Sequence, residues 1–114
     1  MSKVSIRSII NATSQFYDIP VDQLLSRTRV RRISRVRQVA HYIAIKDFKY
    51  SYTKVGNYFG FDHTTVVHSV RAINKRGLPK EHRDWIRVNA EHRDSYSKQL
   101  IRESVERMHS DGAA

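Results

Sequence analysis

The run Tyr58-Phe59-Gly60-Phe61-Asp62-His63-Thr64-Thr65-Val66-Val67-His68 constrains this chain more than any other segment. Gly60 breaks a short helical pattern. Two residues later Asp62 offers a side-chain oxygen to the free amides of a new helix. The segment therefore reads as the turn and second helix of a helix-turn-helix. His63, Thr64 and Thr65 fall in the first turn of that helix, where a DNA-reading helix presents side chains to base edges. Thr brings a hydroxyl and a methyl group, and His can donate or accept, so all three suit that position.

Around this motif the periodicity predicts an all-α fold. Val4 or Ile6, Ile9, Ile10, Thr13, Phe16 and Tyr17 share one stripe over residues 3–17. Pro20 suits the first turn of a short second helix over residues 21–25. Residues 26–32 lack a period and read as a loop. Ser34 is the expected N-cap of a third helix reaching about Lys46, with Val36, Val39, Ala40 and Ile43 inward. Ser51 caps a fourth helix carrying Tyr52, Val55, Tyr58 and Phe59. The fifth runs from His63 to about Arg76, buries Val66, Val67, Val70 and Ile73, and stops at Gly77 and Pro79. Residues 80–108 form a highly charged terminal helix, bent or interrupted near Asn89. Its broken apolar stripe comprises Ile86, Ala90, Ser97, Leu100, Ile101, Val105 and Met108. The expected architecture is one compact helical domain over residues 1–110. A basic loop precedes its helix-turn-helix, a long C-terminal helix follows, and residues 111–114 form a disordered tail.

Charge is unevenly placed. Residues 1–76 hold 14 Lys and Arg against 4 Asp and Glu, whereas residues 77–114 hold 7 against 7. The whole net charge of +10 therefore lies with the motif. Such a surface attracts phosphate and releases counterions, giving affinity without sequence choice; the alternative is a solvated basic face serving solubility only. Six arginines, at positions 27, 29, 31, 32, 35 and 37, lie within eleven residues with no acid between them. Arginine favours planar hydrogen bonding and insertion into a narrow minor groove. The alternate spacing of Arg27, Arg29 and Arg31 puts three guanidinium groups on one side of an extended segment.

Other classes find little support. The chain has no cysteine, which suits a reducing cytosol and a cytoplasmic location. No apolar stretch is long enough to span a bilayer, and none resembles a signal core. His63 and His68 are five residues apart, with no His-x-x-x-His or acid-rich ligand set around them, so no metal or other cofactor is expected. No cluster of carboxylates suggests a nuclease. At 114 residues one modest core is expected.

Three blocks carry a more specific signal. Phe16-Tyr17-Asp18-Ile19 is followed by Leu24-Leu25-Ser26. The basic segment 27–35 runs into Arg37-Gln38-Val39-Ala40. Val55-Gly56 and Phe59-Gly60 then precede Asp62-His63-Thr64-Thr65-Val66. In this order and spacing, over about residues 4–76, the chain resembles the C-terminal DNA-binding domain of the bacterial replication initiator DnaA. The resemblance implies double-stranded DNA as partner, with Asp62, His63, Thr64 and Thr65 at the major groove. It implies that Arg29 is the principal minor-groove arginine, with Arg27 and Arg31 flanking it. Arg37 and Gln38 would contact the DNA backbone from the start of the third helix, where the dipole favours phosphate; Arg37 could instead pair with Asp47 or Asp62. Lys54 would meet phosphate from the first helix of the motif. His68 has two readings, a phosphate contact or a packing role.

The chain also departs from that family. One residue is missing between Gly60 and Asp62, and Phe61 replaces a small or basic residue, so the turn is tighter or re-angled. Val36 and Thr53 stand where many members carry proline. No Gly-x-x-x-x-Gly-Lys-Ser/Thr loop is present, and this length cannot hold the family's ATPase domain as well. What carries over is binding and not ATP-driven duplex opening. The start Met1-Ser2-Lys3 and the distinct tail suggest a stand-alone, non-enzymatic DNA-binding protein. Its targets would be DnaA-box-like sites in replication control or transcription regulation, with host replication or transcription proteins as further partners. The alternative is a DNA-binding subunit of an initiator that needs a separate ATPase partner. The oligomeric state is left open.

Overall fold

The computed structural model describes residues 3–112, with side chains through residue 108. It is all-helical: α1 (Ile6–Tyr17), α2 (Val21–Leu24), α3 (Arg31–Lys46), α4 (Tyr52–Phe59), α5 (His63–Arg76) and α6 (Lys80–Gly112). Local chemistry sets most of the ends. Ser5 caps α1 by accepting from the Ser8 amide at 3.1 Å, and Ser51 caps α4 by accepting from the Lys54 amide at 3.1 Å. Asp18, in the left-handed region at φ 55°, closes α1.

The core forms where α3 meets its neighbours. α3 packs on α1, α2, α4 and α5, and α6 lies along α1. Ile9 and Ile10 from α1, Ile43 from α3, Val55 from α4, Val66 and Ile73 from α5 and Ile86 from α6 are fully buried. Each such side chain contributes on the order of 1.5–3 kcal/mol, against about 0–1 for an exposed ion pair. Apolar burial, and not surface charge, therefore holds the frame.

Five expectations need correction. α3 begins at Arg31 and not after Ser34, because the Ser34 amide donates to the Val30 carbonyl at 2.8 Å. Ile33 also turns onto the core in that extra turn. Tyr58 does not join the apolar face of α4; it is 42% exposed. In α6 the buried stripe ends early. Ile86 and Ala90 are buried, but Leu100, Ile101, Val105 and Met108 are exposed. The helix is continuous through Asn89, whose side-chain amide donates to the Trp85 carbonyl. It also runs through Asp111 and Gly112, which the sequence placed in a disordered tail; residues 113 and 114 lie outside the described residues.

Candidate nucleic-acid interface

Gly56 explains how α4 and α5 come so close. A Cβ there would lie 2.7 Å from the Phe61 carbonyl oxygen and 3.3 Å from the His63 nitrogen, so the turn rests directly on the α4 backbone. The Phe61 amide donates to the Gly56 carbonyl at 2.9 Å, and Gly60 takes φ 76° to reverse the chain. Asp62 then accepts from the Thr64 amide at 2.8 Å. That hydrogen bond holds its carboxyl below the usual carboxylate range. His63 Nδ1 lies 3.3 Å from the same carboxylate. His63, Thr64 and Thr65 all point to solvent, whereas Val66 is buried.

α5 presents more than its first turn. Thr64, His68, Arg71 and Lys75 are exposed and recur at helical spacing opposite Val66, Val70 and Ile73. Arg71 and Lys75 were missed in the sequence, although the same period that marks the buried face would have found them. His68 lies on the exposed stripe, so its packing alternative is not supported. Lys54 is exposed in the first turn of α4, with Nζ 5.7 Å from the centre of the Tyr50 ring.

The arginines of the basic segment divide by role. Arg37 is only 7% exposed. Its Nε donates to the Leu24 carbonyl at 2.9 Å and its Nη2 to the Thr28 carbonyl at 3.2 Å. It pairs with neither Asp47 nor Asp62, and burial lowers its pKa. Arg27 Nη2 donates to the Gly60 carbonyl at 2.6 Å. Arg32 Nη2 donates to the Tyr17 carbonyl at 3.1 Å. Among the described residues, the side chains of Arg29, Arg31 and Arg35 are exposed and make no hydrogen bond or ion pair with the protein.

Two sequence expectations change here. Arg37 and Gln38 do not open α3; they are its seventh and eighth residues, where the amides are already bonded within the helix. Gln38 accepts from Arg76 Nη2 through Oε1 at 3.1 Å. Arg27, Arg29 and Arg31 do not share one extended segment either, since Arg31 already belongs to the first turn of α3 and Arg27 is tied to the turn.

Beneath the turn lies a residue that the sequence did not single out. His41 is buried, with its ring edge-on to Phe59 at 4.3 Å and Phe61 at 6.3 Å. Ser69 Oγ donates to the Thr65 carbonyl at 3.1 Å, so its lone pair is left to accept from His41 Nδ1 at 2.9 Å. With that donation the proton belongs on Nδ1, and Nε2 is a buried acceptor without a partner among the described residues. Burial, helped by the nearby Arg37 charge, pushes the imidazole pKa down to about 3. Among the described residues no group of three or more His, Cys, Asp or Glu could hold a metal ion, and no helix is long and apolar enough to cross a membrane.

A family model described as the bacterial DnaA protein helix-turn-helix matches residues 6–73, more than half of the chain. The chain belongs to that family. It is 45% identical over 74 residues to the chromosomal replication initiator protein DnaA of Francisella tularensis subsp. novicida (strain U112). It is 37% identical over 68 residues to the chromosomal replication initiator protein DnaA 1 of Chlamydia muridarum (strain MoPn / Nigg). These matches cover 64% and 60% of this chain, and the chain spans 15% of the length of each relative. The DnaA helix-turn-helix model takes in α1 through most of α5, together with the basic loop and the capped turn. α6 lies after it.

Proposed function

We propose that this chain binds double-stranded DNA sequence-specifically at sites resembling DnaA boxes, and acts there in replication control or transcription regulation. One observation carries the reading. The capped first turn of α5 presents His63, Thr64 and Thr65 to solvent beside a basic loop that has no acidic partner among the described residues. In this reading α5 enters the major groove, with His63, Thr64 and Thr65 against base edges and Asp62 holding their backbone. Arg29 enters the adjacent minor groove from the loop. Arg31, Lys54, His68, Arg71 and Lys75 meet phosphate, whereas Arg27 and Arg37 chiefly hold the loop in place.

Selection of bound duplexes from a random pool tests this. The expected result is one short element with an A/T-rich end, because the minor groove distinguishes mainly A·T from G·C. Recovery of unrelated sequences, in proportion to their abundance, would reject specific readout. A second reading rests on the curated relatives being replication initiators of which this chain spans 15%. In that reading the chain supplies DNA binding to an assembly whose ATPase lies elsewhere. Duplex opening at the selected site by the chain alone would count against it.

A further inference from the structure

The loop and the recognition helix are joined at one side chain. Phe61 is half-buried in the turn between α4 and α5, and two guanidinium groups face its ring, Arg27 at 5.4 Å and Arg37 at 5.3 Å from the ring centre. Each of these arginines also grips backbone. Arg27 donates to the Gly60 carbonyl, the residue immediately before Phe61. Arg37 donates to Leu24 and Thr28, one carbonyl just before the loop and one within it. A single aromatic ring thus links the carbonyls that hold the loop to the turn that launches α5.

Both electrostatics and geometry favour this arrangement. Two like charges share one ring because its negative face attracts each of them, and no carboxylate pairs with either arginine among the described residues. Shifting the loop by one base pair relative to α5 would need a translation of about 3.4 Å along the duplex. A cation–π contact holds only within about 6 Å of the ring centre, and both contacts already lie above 5 Å. The clamp cannot survive such a shift.

We propose that Phe61, held between Arg27 and Arg37, is a positioning residue that fixes the spacing between the base pairs read by the loop and those read by α5. The proposal rests on the two-element reading of the interface given above. Its consequence is specific: the protein accepts one distance between the A/T-rich end of its site and the remainder.

The test uses the selected site together with versions carrying one base pair inserted or deleted between its two parts. Kd is measured for the full chain, Phe61→Tyr and Phe61→Leu, each with a thermal melt. The unaltered chain and Phe61→Tyr, which keeps the ring, should lose about tenfold or more at both altered spacings, the order expected for losing one base pair of recognition. Phe61→Leu keeps apolar bulk without the ring. It should bind the original site more weakly yet lose less than about threefold on respacing, because no ring then ties the arginines that hold the loop to the turn that launches α5. Arg27→Gln, at an exposed position, should compress the same ratio and serves if Phe61→Leu does not fold. A full respacing penalty in either folded variant overturns the proposal, whatever the absolute affinity. Absence of any respacing penalty in the unaltered chain overturns the two-element reading itself.

Discussion

Where α6 runs past α1 and the end of α3, cations and carboxylates meet one another. Arg83 donates to Asp47 through Nη2 at 2.8 Å and through Nε at 3.0 Å, and Arg87 pairs with Asp84 at 3.2 Å. Asp94 accepts from the Ser5 amide at 2.9 Å and pairs with Lys98. Burial alone would raise the Asp94 carboxyl, but the hydrogen bonds from Lys98 and Ser5 outweigh it and hold it low. Phe16, Tyr17, His82 and Trp85 close the same side in one aromatic cluster. On the side formed by the loop, α4 and α5, the pattern reverses. Among the described residues Arg29, Arg31, Lys54, Arg71 and Lys75 have no acidic partner, and Asp62 is occupied by the Thr64 amide. Similar residue types therefore close one face internally and leave the other awaiting an external anion.

The strongest way to break that contrast is salt. If the unpaired cations meet about 4–8 phosphates, affinity for duplex DNA should fall about 10²–10⁴-fold between 50 and 200 mM salt. The thermal midpoint should barely move over that range, because the paired face and the apolar core hold the fold. A flat binding response in a salt titration would remove the difference between the faces.

Acid tests the support beneath the turn. The folded pKa of His41, about 3, lies below its ordinary 6.5, so the unfolded chain takes up the proton first. The stability due to the neutral ring is complete above about pH 6.5 and is lost as pH falls toward 3, by up to about 1.4 kcal/mol per unit. Urea melts across pH 7 to 4 should show this loss, and it should flatten in His41→Gln.

A smaller effect is expected from Asp47→Asn, which strips Arg83 of its paired carboxylate. Breaking a fully buried pair costs about 3–5 kcal/mol, and the partial exposure of Arg83 reduces this to about 1–3. The melt should shift down while the sequence preference of the folded protein stays unchanged. A changed preference would mean that the two faces are coupled.

The finest division lies within α5. Thr64→Ala should remove about 1–3 kcal/mol of discrimination at one base pair without moving the melt. Arg71→Ala should weaken all sequences alike and reduce the salt slope by about one unit. Identical behaviour of the two variants across a panel of sites would show that the exposed stripe does not divide into base-reading and phosphate-contacting halves.

What the sequence revealed and what it hid follow from the range of the interactions involved. Ser51, Gly60, Asp62 and Gly77 act on amides and turns within a few residues, so the boundaries of α4 and α5 were legible. Ser34 carried the same local signal and misled, since Ile33 had core to cover and α3 began a turn earlier. Arg37 looked like a phosphate contact at a helix start. Its real partners are carbonyls 9 and 13 residues away, which no local pattern encodes. The pairing of His41 with Ser69 spans 28 residues and was equally hidden. The exposed end of α6 shows the limit of periodicity, which marks an apolar stripe without saying whether anything lies opposite it.

The buried position of Arg37 bears on timing. A six-residue loop free in solution would have to surrender its conformational freedom on meeting DNA, and that loss would count against every encounter. Here the backbone carbonyls of Leu24 and Thr28 are already held by a guanidinium anchored in the folded domain. The ordering is completed when the chain folds. Association of the proposed complex is then governed by diffusion and electrostatic steering, and differences among DNA sites express themselves in how long the protein stays.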